Sequence, residues 1–175
     1  MILVTVGSMM PFDRLIRAMD SWAKSHPSQD LLAQIGGGNY EPKHMRWTRM
    51  LSPRQFRETA RDAFIIVAHG GMGSFFTAME LRKRIVLLPR RAAYREHTTD
   101  HQLHTVQWLR EKKGVFIAMT EGELENVIDA AMGEDTLAVD EVPPSAPEPF
   151  LRRIRHFMNE CASPNPEIIQ PTSDH

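Results

Sequence analysis

Hydrophobic and polar positions follow two rhythms along the chain. Short apolar runs at residues 2–6, 31–35, 64–68, 85–88 and 115–118 have the length of buried strands, and a weaker run covers 44–51. Between them, apolar residues recur at helical spacing. Over 11–24, Phe12, Leu15, Ile16, Met19 and Trp22 return every three or four positions, with Asp13, Arg14, Arg17 and Asp20 between them. Ser52 and Pro53 form an N-cap and first-turn pair for a helix over 54–61. Helices are also predicted over 100–112, from a Thr120-Glu-Gly-Glu123 capping box to residue 132, and over 150–161. Strands alternating with helices predict an α/β fold: a single Rossmann-like domain, its sheet mainly parallel and covered by helices on both faces. That domain is expected to occupy 1–133. An acidic, proline-rich connector over 134–149 then leads to the C-terminal helix, and 162–175 reads as a disordered tail.

The most informative pattern break lies after the run at 64–68. Three glycines in four positions (Gly70, Gly71, Gly73) follow His69, and an apolar-periodic segment begins at once. This reads as strand, tight turn and helix start. The glycines allow close approach of a ligand, Ser74 is placed to cap the helix, and the free N–H groups there suit a phosphate. A generic glycine turn is the plain alternative. There is no Gly-x-x-x-x-Gly-Lys-Ser/Thr, and His69 stands where a Gly-x-Gly-x-x-Gly fingerprint needs its first glycine, which disfavours a P-loop and a nicotinamide-dependent oxidoreductase. In an open parallel sheet, ligands bind beyond the carboxyl ends of the strands. Gly7-Ser8, Gly36, His69–Gly73 and the segment 90–102 all follow strands, so they should share one rim. The segment 90–102 carries three arginines, His97, His101, Glu96, Asp100 and Gln102; Asp100 and Gln102, at a helix start, suit sugar hydroxyls or simple capping. His97, His101 and His104 have some metal-like spacing, but without cysteines or a backing carboxylate set no metal site is expected.

Composition narrows the classes. A formal charge of −1 over 175 residues and a pI near 6.7 argue against a nucleic-acid partner. The single Cys161 excludes an internal disulfide, and no apolar run approaches the roughly 20 residues of a membrane span. The start at Met1 lacks a basic leader and runs straight into a strand, so a cytoplasmic protein is expected.

Three separated motifs carry a family resemblance: Ile2-Leu-Val-Thr-Val-Gly-Ser8 with Phe12-Asp-Arg-Leu-Ile16; Ile66-Val-Ala-His-Gly-Gly-Met-Gly-Ser74; and Leu88-Pro-Arg90 with Glu96-His97 and Asp100-His-Gln-Leu103. Over about residues 1–130 the chain resembles the C-terminal, donor-binding domain of family 28 glycosyltransferases. Within that group it is similar to stand-alone bacterial exopolysaccharide and capsule subunits, relatives of the catalytic subunit of the eukaryotic two-part N-acetylglucosaminyl transferase acting on dolichyl diphosphate. The resemblance implies the C-terminal half of a GT-B fold and a UDP-sugar donor, with no further cofactor. It implies that His69, Gly70, Gly71, Met72, Gly73 and Ser74 lie against the diphosphate and that His97, Asp100, His101 and Gln102 lie near the sugar. Uracil would rest near the loop from Met50 and Leu51 to Pro53, largely on backbone groups, and Gly7 and Ser8 would face the cleft. Thr77 stands where several relatives place a ribose-binding Glu, with Glu80 one turn on as the substitute. An inverting transfer also needs a cation, for which Arg90 or Arg95 is expected, and a base, for which His69 and Glu96 are the candidates unless a partner supplies it. The resemblance further implies a membrane-anchored partner subunit binding a polyprenyl-diphosphate-linked acceptor at the inner face of the membrane, docked on the open cleft face or on 134–161. Which of glucuronate, galactose or N-acetylglucosamine is transferred stays open; a nucleotide-binding subunit without catalysis is the alternative.

Overall fold

Six strands lie side by side in the order β3-β2-β1-β4-β5-β6, every neighbouring pair parallel. In this computed structural model, which describes residues 1–133, 139–140 and 145–162, they are β1 (Ile2–Thr5), β2 (Leu31–Gln34), β3 (Arg46–Thr48), β4 (Ile65–His69), β5 (Arg84–Leu88) and β6 (Val115–Ile117). The order reverses between β1 and β4, and that switch point opens a crevice at the strands' carboxyl ends.

Alternation along the strands divides the core into two layers. Ile2, Val4, Leu31, Ala33, Ile65, Val67, Val86 and Leu88 point to one face, against α1 (Asp13–Ser25) and α5 (Leu124–Gly133). Leu3, Ile66, Ala68, Ile85 and Leu87 point to the other, against α2 (Pro53–Asp62), α3 (Met72–Glu80) and α4 (His101–Leu109). Both faces of the central strands are therefore dry, which is why those strands read as continuous apolar runs.

Local signals set the helix ends with two departures from expectation. Ser52 accepts from the Gln55 N–H while the Gln55 side chain accepts from the Ser52 N–H, a complete capping box. The Thr120 box does not form in that way. A short 3-10 turn, Glu121–Glu123, precedes α5, and Glu123 instead accepts from the Met119 N–H at 2.8 Å. Nor does Ser74 cap α3. The N-cap is Gly71, with no side-chain bond, and Ser74 is buried within the first turn. The strand expected over 44–51 shrinks to three residues, because only Arg46–Thr48 pair with β2.

No helix bridges β2 and β3. Their connection is held instead by Asp20 of α1, whose buried carboxylate accepts from the Tyr40 hydroxyl at 2.6 Å and from the Lys43 and His44 N–H groups at 2.9 and 2.7 Å. Burial pushes this carboxyl up, but the donors outweigh it and hold the pKa below the usual value.

The chain divides into two units, Met1–Val142 and Pro143–His175. In the second, α6 (Glu148–Ala162) is an amphipathic helix that covers the predicted 150–161 and extends it at both ends. The expected tail from residue 163 onward, and most of the connector, lie outside the described residues.

Candidate functional site

A cleft of about 560 Å³ lies over the carboxyl ends of β1, β2 and β4. Its floor is β1 and the turn that follows, from Thr5 to Met10, with Gln34 of β2 beside it. One wall is Met50, Leu51 and the start of α2 (Pro53, Phe56). The opposite wall is His97, His101 and Gln102. His69, Gly73, Ser74 and Thr77 form the back.

The start of α3 carries the strongest ligand signal. Its first ladder bond runs from the Phe75 N–H to the Gly71 carbonyl, so the N–H groups of Met72, Gly73 and Ser74 have no acceptor within the helix, and no side chain caps them. A Cβ added at Gly73 would meet nothing within 4 Å. Open space above uncapped amides at the positive end of a helix is the arrangement an anion needs.

His69 closes the turn from within. A Cβ at Gly71 would lie 2.2 Å from its Nε2, and one at Gly7 would lie 2.7 Å from its Cε1. The imidazole is thus wedged between two glycines, with the Thr5 backbone beside it. Burial, joined by the charge of Arg90, lowers its pKa to about 4, so it is neutral at pH 7. Gly70 serves packing: its Cβ position lies 2.9 Å from Val106 Cγ1, where α4 crosses β4.

Arg90 is at the cleft but is not free to grasp a ligand. It is 2% exposed, and its guanidinium donates to the carbonyls of Val6 and Met10 at 2.7 Å each, to Glu96 at 3.2 Å and to Pro11. It also lies over the Phe12 ring. Burial lowers its pKa to about 10, which leaves it charged at pH 7. Arg90, one of the two cations expected at the diphosphate, therefore acts as a strut: it lines the cleft, but its donors are committed to backbone carbonyls.

Glu96 departs from its expected role for a similar reason. Both its oxygens are taken by Arg14, at 2.7 and 2.8 Å, and one also accepts from the Arg91 N–H. Arg14 in turn holds Glu121 and the Pro89 carbonyl. With both oxygens engaged by Arg14, the carboxylate is not free to take a proton from a ligand. Glu96 does not line the cleft.

The remaining expected residues divide. Gly7, Ser8, Met50, Leu51, His69, Gly73, Ser74, Thr77, Arg90, His97, His101 and Gln102 come together at the cleft, whereas Gly70, Gly71, Met72, Arg95, Glu96 and Asp100 do not line it. Asp100 precedes α4 and accepts from the Ala92 N–H at 2.8 Å, folding the 90–99 loop back on itself. Arg95 is exposed, in a left-handed turn with φ 57°. Gln102 is buried and accepts from the Arg90 N–H at 3.0 Å. Thr77 donates to the Gly73 carbonyl, and Glu80 pairs with Arg57 on α2 rather than facing the cleft. Gly36 shares the rim, its Cβ position 3.1 Å from Val6 Cγ2, but does not line the cleft. Among the described residues no group of His, Cys, Asp and Glu is arranged to hold a metal ion.

Gln34 is the main residue sequence reasoning missed. Its amide donates to the Gly7 carbonyl at 3.0 Å and accepts from the Leu51 N–H at 3.4 Å, tying two sides of the cleft together. A glutamine inside an otherwise apolar strand was the available signal. Thr5, Met9, Met10 and Phe56 were also missed; Thr5 accepts from the Gly7 N–H at 3.1 Å and shapes the positive-φ turn there.

An open parallel sheet with this strand order and an uncapped helix start at the switch point defines a Rossmann-like, ligand-binding half-fold. The chain belongs to the glycosyltransferase family 28 C-terminal domain, whose model matches residues 1–140. Among solved structures it is similar to the kitacinnamycin glycotransferase, at 17% identity and a TM-score of 0.58, over 78% of this chain and 35% of that one. It is also similar to the glycosyltransferase SnogD from Streptomyces nogalater, at 18% identity and a TM-score of 0.55, over 91% and 39%. The solution structure of ALG13 aligns at 16% identity and a TM-score of 0.54, over 87% of this chain and 93% of that one. These likenesses establish the C-terminal half of a GT-B fold, and the chain spans little more than a third of the length of the first two. No curated protein matches it in sequence.

Proposed function

We propose that the chain supplies the donor half-site of an inverting, UDP-sugar-dependent glycosyltransferase. The observation that carries this reading is the uncapped start of α3 facing the cleft at the switch point. The diphosphate lies on the free amides of Gly73 and Ser74, and uracil lies against the Met50–Leu51 wall. The sugar projects toward His97, His101 and Gln102. As the anomeric carbon–oxygen bond breaks, charge gathers on the departing UDP, where the α3 terminus and the buried Arg90 charge stabilise it without a metal or other cofactor.

The acceptor hydroxyl must lose a proton; among the described residues no carboxylate lines the cleft, and its titratable groups are His69, His97, His101 and the buried Arg90. Glu96 is bound to Arg14, and His69 holds too low a pKa to remove a hydroxyl proton efficiently. In this reading the acceptor site, and the base with it, belongs to a second, membrane-anchored subunit that presents a polyprenyl-diphosphate-linked saccharide at the cytoplasmic face, as in exopolysaccharide or capsule assembly. A thermal-shift panel tests the donor reading. UDP-sugars should raise Tm with concentration, and the transferred sugar should bind best. Indifference to every UDP compound would refute it, and full transfer activity of the chain alone would refute the need for a partner.

A further inference from the structure

The described residues include one surface the donor site does not use, the face of α6. At 100° per residue, Phe157, Phe150, Cys161, Ile154, Met158 and Leu151 fall in succession within roughly 120° of the helix circumference, with no polar residue among them. Four are strongly exposed: Phe150 at 53%, Ile154 at 41%, Phe157 at 65% and Met158 at 61%. Arginines border this arc on both sides. Arg153 stands about 40° beyond Phe157 and Arg155 about 40° beyond Leu151. The opposite face carries Arg152, His156, Asn159 and Glu160.

We propose that α6 lies in the plane of an anionic bilayer surface, its apolar arc sunk to the acyl boundary and its flanking arginines on lipid phosphates. Two features favour a lipid surface over a coiled-coil partner. The arc is about a third of the circumference, wider than a coiled-coil seam and suited to a flat apolar medium. Both borders are cationic, and arginine stems lie along apolar surface while their heads reach an anionic headgroup layer. The helix, about 22 Å long, is not long and apolar enough to cross a membrane, and the proposed attachment runs along the surface. The surface pairs of Arg155 with Glu148 and of His156 with Glu160 moderate the net charge. Apolar burial is then the larger part of binding, and charge selects the lipid. This attachment is direct and independent of the proposed partner subunit.

Vesicle co-sedimentation of the full chain tests it, with phosphatidylcholine alone and with phosphatidylcholine and phosphatidylglycerol at about 3:1. The wild type should sediment with the mixed vesicles and much less with neutral ones. The Ile154→Asp/Phe157→Asp variant should lose binding by about tenfold or more, and Arg153→Gln/Arg155→Gln should weaken it mainly at low salt. Folding is checked by the far-ultraviolet spectrum and by the UDP-induced rise in Tm, which none of these changes should alter. A Met158→Trp reporter should shift to the blue with mixed vesicles. Wild-type protein that stays in the supernatant, equal sedimentation of the Asp variant, or a reporter that responds only to a second copy of the chain or to a protein partner would each overturn the proposal.

Discussion

His69 shows how one side chain constrains its surroundings. Its ring fills a slot whose walls are the missing side chains of Gly7 and Gly71, so the two glycines are needed for the histidine as much as for any ligand. Gly71→Ala should destabilise the fold by about 1–3 kcal/mol, and the penalty should largely vanish in a His69→Ala background. Urea unfolding of the four proteins in that cycle measures the coupling. The same burial makes stability pH-dependent. The folded pKa is lowered to about 4 while the unfolded value stays near the ordinary 6.5, so the unfolded chain binds the extra proton. The contribution of His69 is fully present above pH 6.5 and is lost as pH falls from 6.5 toward 4, by up to about 3 kcal/mol. Subtracting the pH–stability curve of His69→Gln from that of the wild type should isolate this slope.

At the scale of the element, α3 is defined by what it lacks. Sequence spacing placed a helix start at the glycine turn but assigned the cap to Ser74, because serine is a common cap, whereas α3 begins inside the turn at Met72. The N-cap is Gly71, three residues earlier, and Ser74 turns inward. Propensity identifies a residue able to cap; only the path of the backbone decides whether it stands at the first position. This leaves the terminus open to an anion, which Gly73→Asp tests directly. A carboxylate in the first turn complements the helix dipole and meets no neighbour, so stability should hold or rise by about 0.3–1 kcal/mol. The UDP-induced rise in Tm should disappear, because the diphosphate would face a like charge. Loss of stability with retained nucleotide binding would place the ligand elsewhere.

The whole molecule assembles its cleft from segments far apart in sequence, and Arg90 is the principal joint. It fastens the turn after β1 to the loop after β5, across a sequence separation that no local pattern encodes. Arg90→Lys keeps the charge but cannot serve four carbonyls from one planar fork. It should cost on the order of 2–4 kcal/mol by urea unfolding, with nucleotide affinity falling as a consequence of the disordered rim. An Arg90 that gripped the diphosphate itself would show the reverse: affinity lost, stability unchanged.

Hydrophobic periodicity determined where the six strands lie along the chain and that the central ones are dry on both faces, because burial acts on each segment through its own pattern; their order in the sheet came from the tertiary structure. The motifs likewise brought twelve of the expected site residues to one cleft. The partners of the charged residues were beyond that reading. Arg90, Glu96, Asp100 and Glu80 looked like ligand-binding groups as a sequence, and each is occupied by a distant backbone or side-chain group. A charge advertises its chemistry locally, but whether that chemistry is still available depends on which opposite charge or carbonyl the folded chain brings within 3 Å, and only the tertiary structure decides that.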